Sequence, residues 1–105
     1  MPSIAQIAAQ VRHLITEVQA EEVDDARRGE HPPRIVDVRE QNEWDAGHIP
    51  GAELIPLGTV TQVAAEKMPD KSERIVVHCA AGVRSAVAAY QMQQLGYTNV
   101  SSMAG

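Results

Sequence analysis

Apolar residues recur along this chain with two different periods, which predict helices alternating with strands. In residues 3–15, Ile4, Ile7 and Val11 follow helical spacing, and Ser3 stands where a helix N-cap is expected. We interpret this segment as an amphipathic helix that packs on its own domain. A contact in a homodimer through this helix is the alternative.

The remaining segments predict the secondary structure of an α/β domain. Apolar, β-branched runs favour strands, whereas segments with helical spacing and a closing Gly or Pro favour helices. The predicted strands cover residues 34–39, 53–57, 74–79 and 99–103, residues 15–19 form either a strand or a helix end, and the predicted helices cover residues 20–29, 40–47, 59–68 and 85–96. Near-continuous apolar strands that alternate with helices indicate a mainly parallel sheet.

Composition and charge narrow the range of functions. A chain of 105 residues forms one domain. Its net charge of −5 and its pI of about 5.2 argue against nucleic acid or an anionic membrane as the main partner. No apolar run has the length of a membrane helix, and the first residues do not resemble a signal peptide. We therefore expect a cytoplasmic protein without a membrane partner.

The chain has a single cysteine, Cys79. One cysteine excludes an internal disulfide, a CxxC redox pair and a multi-cysteine zinc site, and a free thiol fits a reducing compartment. Cys79 closes the predicted strand 74–79, at the edge of a parallel sheet where ligands bind. The chemistry of this cysteine is therefore the main question that the sequence raises.

The residues after Cys79 favour a reactive thiolate. Small side chains and a Gly allow backbone N–H groups to turn inward as an anion-binding nest, and the following helix N-terminus adds positive potential. Both effects lower the pKa of a thiol, and an Arg can hold an oxyanion through two hydrogen bonds. We predict Cys79 as the catalytic nucleophile. The predicted substrate-binding loop consists of Ala80, Ala81, Gly82, Val83, Arg84 and Ser85.

Two motifs resemble the rhodanese-like domain family in its single-domain form. They are "IVDVREQNEWDAGHIPGAELIPL", residues 35–57, and "IVVHCAAGVRSAVAAYQMQQLGYTNV", residues 75–100. The resemblance implies a mainly parallel, five-stranded sheet flanked by helices. It extends from about Ile15, so we divide the chain into an N-terminal helical extension, residues 1–14, and a rhodanese-like domain, residues 15–105. Members usually continue with a Gly-Gly-x-x-x-Trp segment and a final helix, whereas this chain stops at "SSMAG", so either the chain is shortened or that cover is absent.

The resemblance also implies a sulfurtransferase mechanism. The Cys79 thiolate attacks the outer sulfur of thiosulfate or of a persulfide donor, and the sulfur rests on Cys79 as a persulfide beside the N–H groups of residues 80–85. Because no second cysteine can resolve the persulfide, the acceptor must be external: cyanide, a thiol or a protein. The scheme needs no metal and no organic cofactor.

Asp37 and Arg39 are predicted to support the loop. In the family arrangement Asp37 ends the strand beside the strand of Cys79, where it can hold either Arg84 or Arg39. Arg39 and Glu40 are expected to pair structurally rather than to take part in catalysis.

The nearby histidines and the tryptophan have structural interpretations. We expect His48 to stabilise its turn by a hydrogen bond. His78 precedes Cys79 in a strand, so its side chain points to the opposite face and should be packed. A zinc site that combines these histidines with Cys79 is disfavoured for the same reason. Trp44 is expected in the core.

Two other functions stay open. The "HC..G.RS" pattern is also similar to tyrosine phosphatases and arsenate reductases. In "CAAGVR" four residues separate Cys79 from Arg84, one fewer than in those loops, and a smaller ring should crowd a tetrahedral oxyanion. The second alternative is a non-catalytic regulatory module with the same fold, and the intact Cys79 and Arg84 argue against it.

Overall fold

Helices and strands alternate along the whole chain, which confirms the predicted α/β class. The structure is a computed structural model that describes residues 1–105. The elements are α1 (Ile4–Val11), β1 (Thr16–Val18), α2 (Ala20–Arg27), β2 (Arg34–Asp37), α3 (Gln41–Ala46), β3 (Glu53–Leu54), α4 (Val60–Lys67), β4 (Ile75–His78), α5 (Val83–Gln94) and β5 (Val100–Met103), with one-turn 3₁₀ helices at Arg12–Leu14 and Leu57–Thr59.

Two helix starts show how local chemistry sets the boundaries. Ser3 is the N-cap of α1, as predicted: its Oγ accepts the N–H of Gln6 at 3.1 Å, and the Gln6 side chain accepts the N–H of Ser3 at 2.7 Å. The helix α5 begins at Val83, two residues before the predicted start. Gly82 has a φ of +81°, a left-handed conformation that favours Gly, and this sharp turn directs the chain into the helix earlier than the pattern indicates.

All five strands are parallel, in the order β1-β5-β4-β2-β3. The central strand β4 pairs with β2 on one side, where Asp37 is opposite His78, and with β5 on the other, where Ser102 is opposite Val77. Cys79 follows β4 directly. It therefore lies between the carboxyl ends of β2 and β5, at the edge where parallel sheets bind ligands.

The two faces of the sheet carry separate apolar clusters. On the larger one, α4 and α5 cover the strands and Cys79 is part of the cluster, whose fully buried members include Val36, Val77, Ile55 and Met92. On the other face, Val23 of α2 packs with a smaller set: Ile35, Val76 and Met103. None of the five helices is long and apolar enough to cross a membrane.

The helix α1 packs on the outside of α5. Ala8 and Val11 are buried, and Ala8 contacts Ala86 and Val87 in the first half of α5. Ile4, on the same helix, keeps 41% of its surface exposed. The N-terminal segment thus lies next to the helix that follows the cysteine loop. The division at residue 15 and a homodimer through α1 both stay predictions.

Candidate active site

The cysteine loop encloses the sulfur of Cys79. This residue is only 2% exposed. Two backbone N–H groups point at its Sγ, that of Gly82 at 3.2 Å and that of Ser85 at 3.3 Å, and the Ser85 Oγ lies 3.5 Å from it. Hydrogen-bond donors that converge on one sulfur stabilise its anionic form. The loop thus places hydrogen-bond donors where they stabilise a thiolate at Cys79.

The pKa of Cys79 lies below its ordinary value. Burial raises it, but the side-chain and backbone hydrogen bonds of Ser85 and the backbone N–H groups of Ala81 and Gly82 outweigh that effect. Because the net direction is downward, more of the thiol is ionised near neutral pH than in an ordinary cysteine.

A second buried serine stands behind Ser85. The Ser102 Oγ on β5 donates to the Ser85 Oγ at 2.9 Å, and both side chains are fully buried. In the thiol form the Cys79 Sγ donates to the Ser85 Oγ. When Cys79 is ionised, the Ser85 O–H, which is not used towards Ser102, can donate to Sγ instead. Ser102 therefore orients the Ser85 hydroxyl towards the sulfur without touching the sulfur itself.

Gly82 is constrained from two sides. A Cβ at this position would lie 3.0 Å from the Gly105 backbone nitrogen, and its positive φ already disfavours other residues. Its carbonyl accepts a bond from the Arg12 Nη2 at 3.4 Å, from the segment that follows α1. The turn that presents the Gly82 N–H to Sγ therefore lies between Arg12 and the backbone of Gly105.

Arg84 does not contact Asp37. Its guanidinium forms a bidentate pair with Glu43 of α3, with Nη1–Oε1 at 2.7 Å and Nη2–Oε2 at 2.9 Å. This pairing comes first among the causes that lower the pKa of Glu43 to about 2. Of the two partners considered for Asp37, the structure selects Arg39.

Asp37 and Arg39 form a second ion pair at the end of β2. Asp37 is fully buried, and the Arg39 Nε and Nη2 donate to its carboxylate at 2.8–3.0 Å. Burial raises the pKa of Asp37, but the hydrogen bonds from Arg39 outweigh it and the net pKa is lowered. The pair fixes the start of the β2–α3 connection beside the loop.

The other predicted residues lie around Cys79 and its loop. Ala80 and Ala81 are exposed, and Val83 is partly buried in the first turn of α5. His78 is half-buried, 3.9 Å from the Asp37 Oδ2, and burial lowers its pKa. His48 makes the expected turn contact, with Nδ1 3.0 Å from the Trp44 carbonyl oxygen.

The prediction that Trp44 lies in the core is wrong. The residue is only partly buried, and its ring stacks on that of His48 with the centroids 3.5 Å apart. The imidazole, rather than the core, covers the indole face at the end of the short helix α3.

Three residues that were not predicted also lie around the loop: Glu43, Ser102 and Arg12. Glu43 had a readable signal, because Glu40 and Glu43 are spaced as a capping box, and in the structure the Glu40 N–H donates to the Glu43 Oε1 at 3.1 Å. Ser102 and Arg12 gave no such signal in the sequence. A Ser in a strand and an Arg in an N-terminal segment are common, and only the fold brings these two to the loop.

Comparison with known proteins gives a family match. The model of the family described as "Rhodanese-like domain" matches residues 19–105. The Bacillus subtilis protein YqhL, described as uncharacterized, is 35% identical over 82 residues, covering 78% of this chain and 64% of YqhL. The thiosulfate sulfurtransferase PspE of Escherichia coli is 36% identical over 70 residues, or 67% of each chain. The chain thus spans about two thirds of the length of these relatives.

Solved structures share the fold. The human single-domain sulfurtransferase TSTD1 superposes with a TM-score of 0.75 at 28% identity, covering 85% of this chain and 88% of TSTD1. RPA3614 of Rhodopseudomonas palustris, described as a protein of unknown function and "Possible Tyrosine Phosphatase", gives a TM-score of 0.81 at 23% identity, covering all of this chain and 86% of that one. The second likeness concerns the fold alone.

Proposed function

Because this chain belongs to the rhodanese-like domain family, we propose that it is a sulfurtransferase that transfers a sulfane sulfur through a persulfide on Cys79. Two relatives that are named thiosulfate sulfurtransferases, 36% and 35% identical to this chain, support this activity. The observation that carries the proposal is the convergence of the Gly82 N–H, the Ser85 N–H and the Ser85 hydroxyl on one sulfur atom.

In the first half-reaction the Cys79 thiolate attacks the outer sulfur of the donor. With thiosulfate, the donor S–S bond breaks, sulfite leaves with the bonding electron pair, and Cys79 becomes a persulfide. Sulfite is a good leaving group, so the step needs no general acid. The loop N–H groups that stabilise the thiolate also stabilise the terminal sulfur of the persulfide.

In the second half-reaction an external nucleophile removes the terminal sulfur. Cyanide yields thiocyanate, and a thiol or a protein cysteine yields a new persulfide. Since the chain has one cysteine, no intramolecular step can compete with this transfer. The kinetics should follow a ping-pong scheme.

The experiment is to treat the protein with thiosulfate and measure its intact mass. We expect one added sulfur that dithiothreitol removes, and thiocyanate formation when cyanide is added. Cys79→Ser should show neither, because no other thiol can carry the sulfur, while its thermal unfolding stays cooperative.

Two results would contradict the proposal. One is thiocyanate formation by Cys79→Ser at a rate near that of the wild type. The other is hydrolysis of aryl phosphates by the wild type faster than it forms thiocyanate, which would favour the phosphatase alternative.

A further inference from the structure

Arg84, the arginine within the cysteine loop, is already paired with a carboxylate. Both terminal nitrogens of Arg84 donate to the Glu43 carboxylate, at 2.7 and 2.9 Å. With its pKa held at about 2 by Arg84, Glu43 is ionised at every pH at which the protein would work. An anionic donor that approaches Cys79 therefore meets an ion pair, not a free guanidinium.

Glu43 is held in place independently of Arg84. Its Oε1 also accepts the Glu40 N–H at 3.1 Å as part of the capping box of α3. The side chains of Arg84 and Glu43 are 29% and 30% exposed, so the pair lies in a partly buried position where water screens it less than on the open surface. Separating Glu43 from Arg84 would therefore break the ion pair and would also move a carboxylate that the capping box holds in place.

A second arginine beside the site, Arg39, is also paired with a carboxylate. Arg39 donates to Asp37 and, through Nη2, to the Gly47 carbonyl at 2.8 Å. The charges of Asp37, Arg39, Glu43 and Arg84 therefore balance. Arg12, which donates to the Gly82 carbonyl, also has a carboxylate nearby, with Glu17 Oε2 3.9 Å from its Nε. Each arginine around the loop thus has an acidic partner, in a protein whose net charge is −5.

We propose that Glu43 determines the donor class of this site: by occupying Arg84 it disfavours the thiosulfate dianion and favours donors with little charge beside the sulfane sulfur, such as organic persulfides. This inference rests on the proposed sulfur transfer. With such a donor, R–S–SH and the Cys79 thiolate give the Cys79 persulfide and the thiolate RS⁻. The donor S–S bond breaks, a new S–S bond forms on Cys79, and the leaving thiolate takes the electron pair. No cation is therefore required beside the R group of the donor.

The test compares two donors of nearly the same shape, thiosulfate and methanethiosulfonate, in which a methyl group replaces one charged oxygen. In Glu43→Gln we expect kcat/KM for thiosulfate, measured as thiocyanate formation, to rise about tenfold, and that for the monoanionic donor to rise clearly less. Gln is also accepted at this position of a capping box, so α3 should remain folded.

Asp45→Asn is the matched control. It removes the same charge from the same helix, and its carboxylate is bonded to Gln41 rather than to Arg84. The ratio of kcat/KM for thiosulfate to kcat/KM for methanethiosulfonate should stay at its wild-type value in this variant. In an Arg84→Gln background, Glu43→Gln should no longer raise the ratio, because there is no guanidinium to release.

An unchanged or lower ratio in Glu43→Gln would overturn the inference, as would a rise that persists in the Arg84→Gln background. Either result is distinguishable from failure of the proposed function, in which wild-type Cys79 gains no sulfur from either donor.

Discussion

At the scale of single residues, the site depends on the hydrogen bonds that protein groups, in place of water, make to the Cys79 sulfur. Cys79 is buried, which by itself opposes ionisation, yet the donors around Sγ reverse that effect. Among the groups that lower the pKa of Cys79, Ser85 comes first, through both its hydroxyl and its N–H. Its orientation depends in turn on Ser102.

We predict that Ser102→Ala raises the pKa of Cys79 through Ser85. Without the bond from Ser102, the Ser85 hydroxyl is free to rotate away from Sγ, so less thiolate is present at neutral pH and the rate–pH curve moves to higher pH. Sulfur loading at neutral pH should fall by up to about tenfold, the scale of one hydrogen bond to a charged group. The ultraviolet absorbance of the thiolate against pH reports this directly, because the chain has one cysteine.

Two variants make this test specific. Ser101→Ala, on the same strand but without a bond to Ser85, should leave the thiol titration unchanged. In the Ser85→Ala background, Ser102→Ala should add no further shift. A full additional shift in that background would show that Ser102 acts by another route.

At the scale of elements, the decisive feature is the junction of β4 and α5. The hydrogen bonds to Sγ come from Gly82, the N-cap of α5, and from Ser85, in its first turn. Loop length therefore fixes where the helix N-terminus stands relative to the sulfur.

We predict that inserting one Gly between Gly82 and Val83 impairs sulfur transfer by at least about tenfold, because it moves Ser85 away from Sγ. Thiocyanate formation measures the loss, and aryl phosphate hydrolysis, which the wider ring can admit, is followed in parallel. Inserting Gly between Glu30 and His31, two exposed residues before β2, should leave the rate unchanged. Equal activity in the two insertion variants would mean that ring size does not matter.

The element pattern was readable from sequence, whereas several side-chain partners were not. Strands such as residues 74–79 are near-continuous apolar runs, and helices such as residues 85–96 show helical spacing and a closing Gly. Periodicity and the closing Gly therefore suffice to find them. The partner of Arg84 is different: Asp37 and Glu43 are both acidic and both precede the loop. Only the position of α3 beside the first turn of α5 decides between them.

At the scale of the whole molecule, buried and paired acids connect the site to stability. Hydrogen bonds hold the pKa values of Asp37 and Glu43 below their ordinary values of 3.8 and 4.5. A carboxyl group with a lowered pKa in the folded state stabilises that state above its unfolded pKa, and this contribution disappears as the pH falls through its folded pKa. Burial lowers the pKa of His78, so its protonation below about pH 6.5 also favours unfolding.

We therefore predict that the free energy of unfolding declines as the pH falls from about 6.5 towards 2. Asp37→Asn should be less stable than the wild type at pH 7, by roughly 3 kcal/mol, because Arg39 loses its buried partner. It should also lose less stability on acidification. Urea unfolding at a series of pH values measures both effects, and parallel curves for the two proteins would contradict the assignment to Asp37.

The parts of the site come from distant points of the chain. Arg12 is 70 residues from Gly82, and Glu43 is 41 residues from Arg84. Contacts of such long range form late, because the intervening chain must first be ordered. In a partly folded chain that lacks these contacts, nothing from Arg12 or Glu43 holds the loop of residues 79–85 in place, so we expect the Cys79 thiol to be more accessible to oxidation than in the folded protein. We therefore expect sulfur transfer to appear only once these contacts have formed, and the single cysteine to be most easily oxidised before that point.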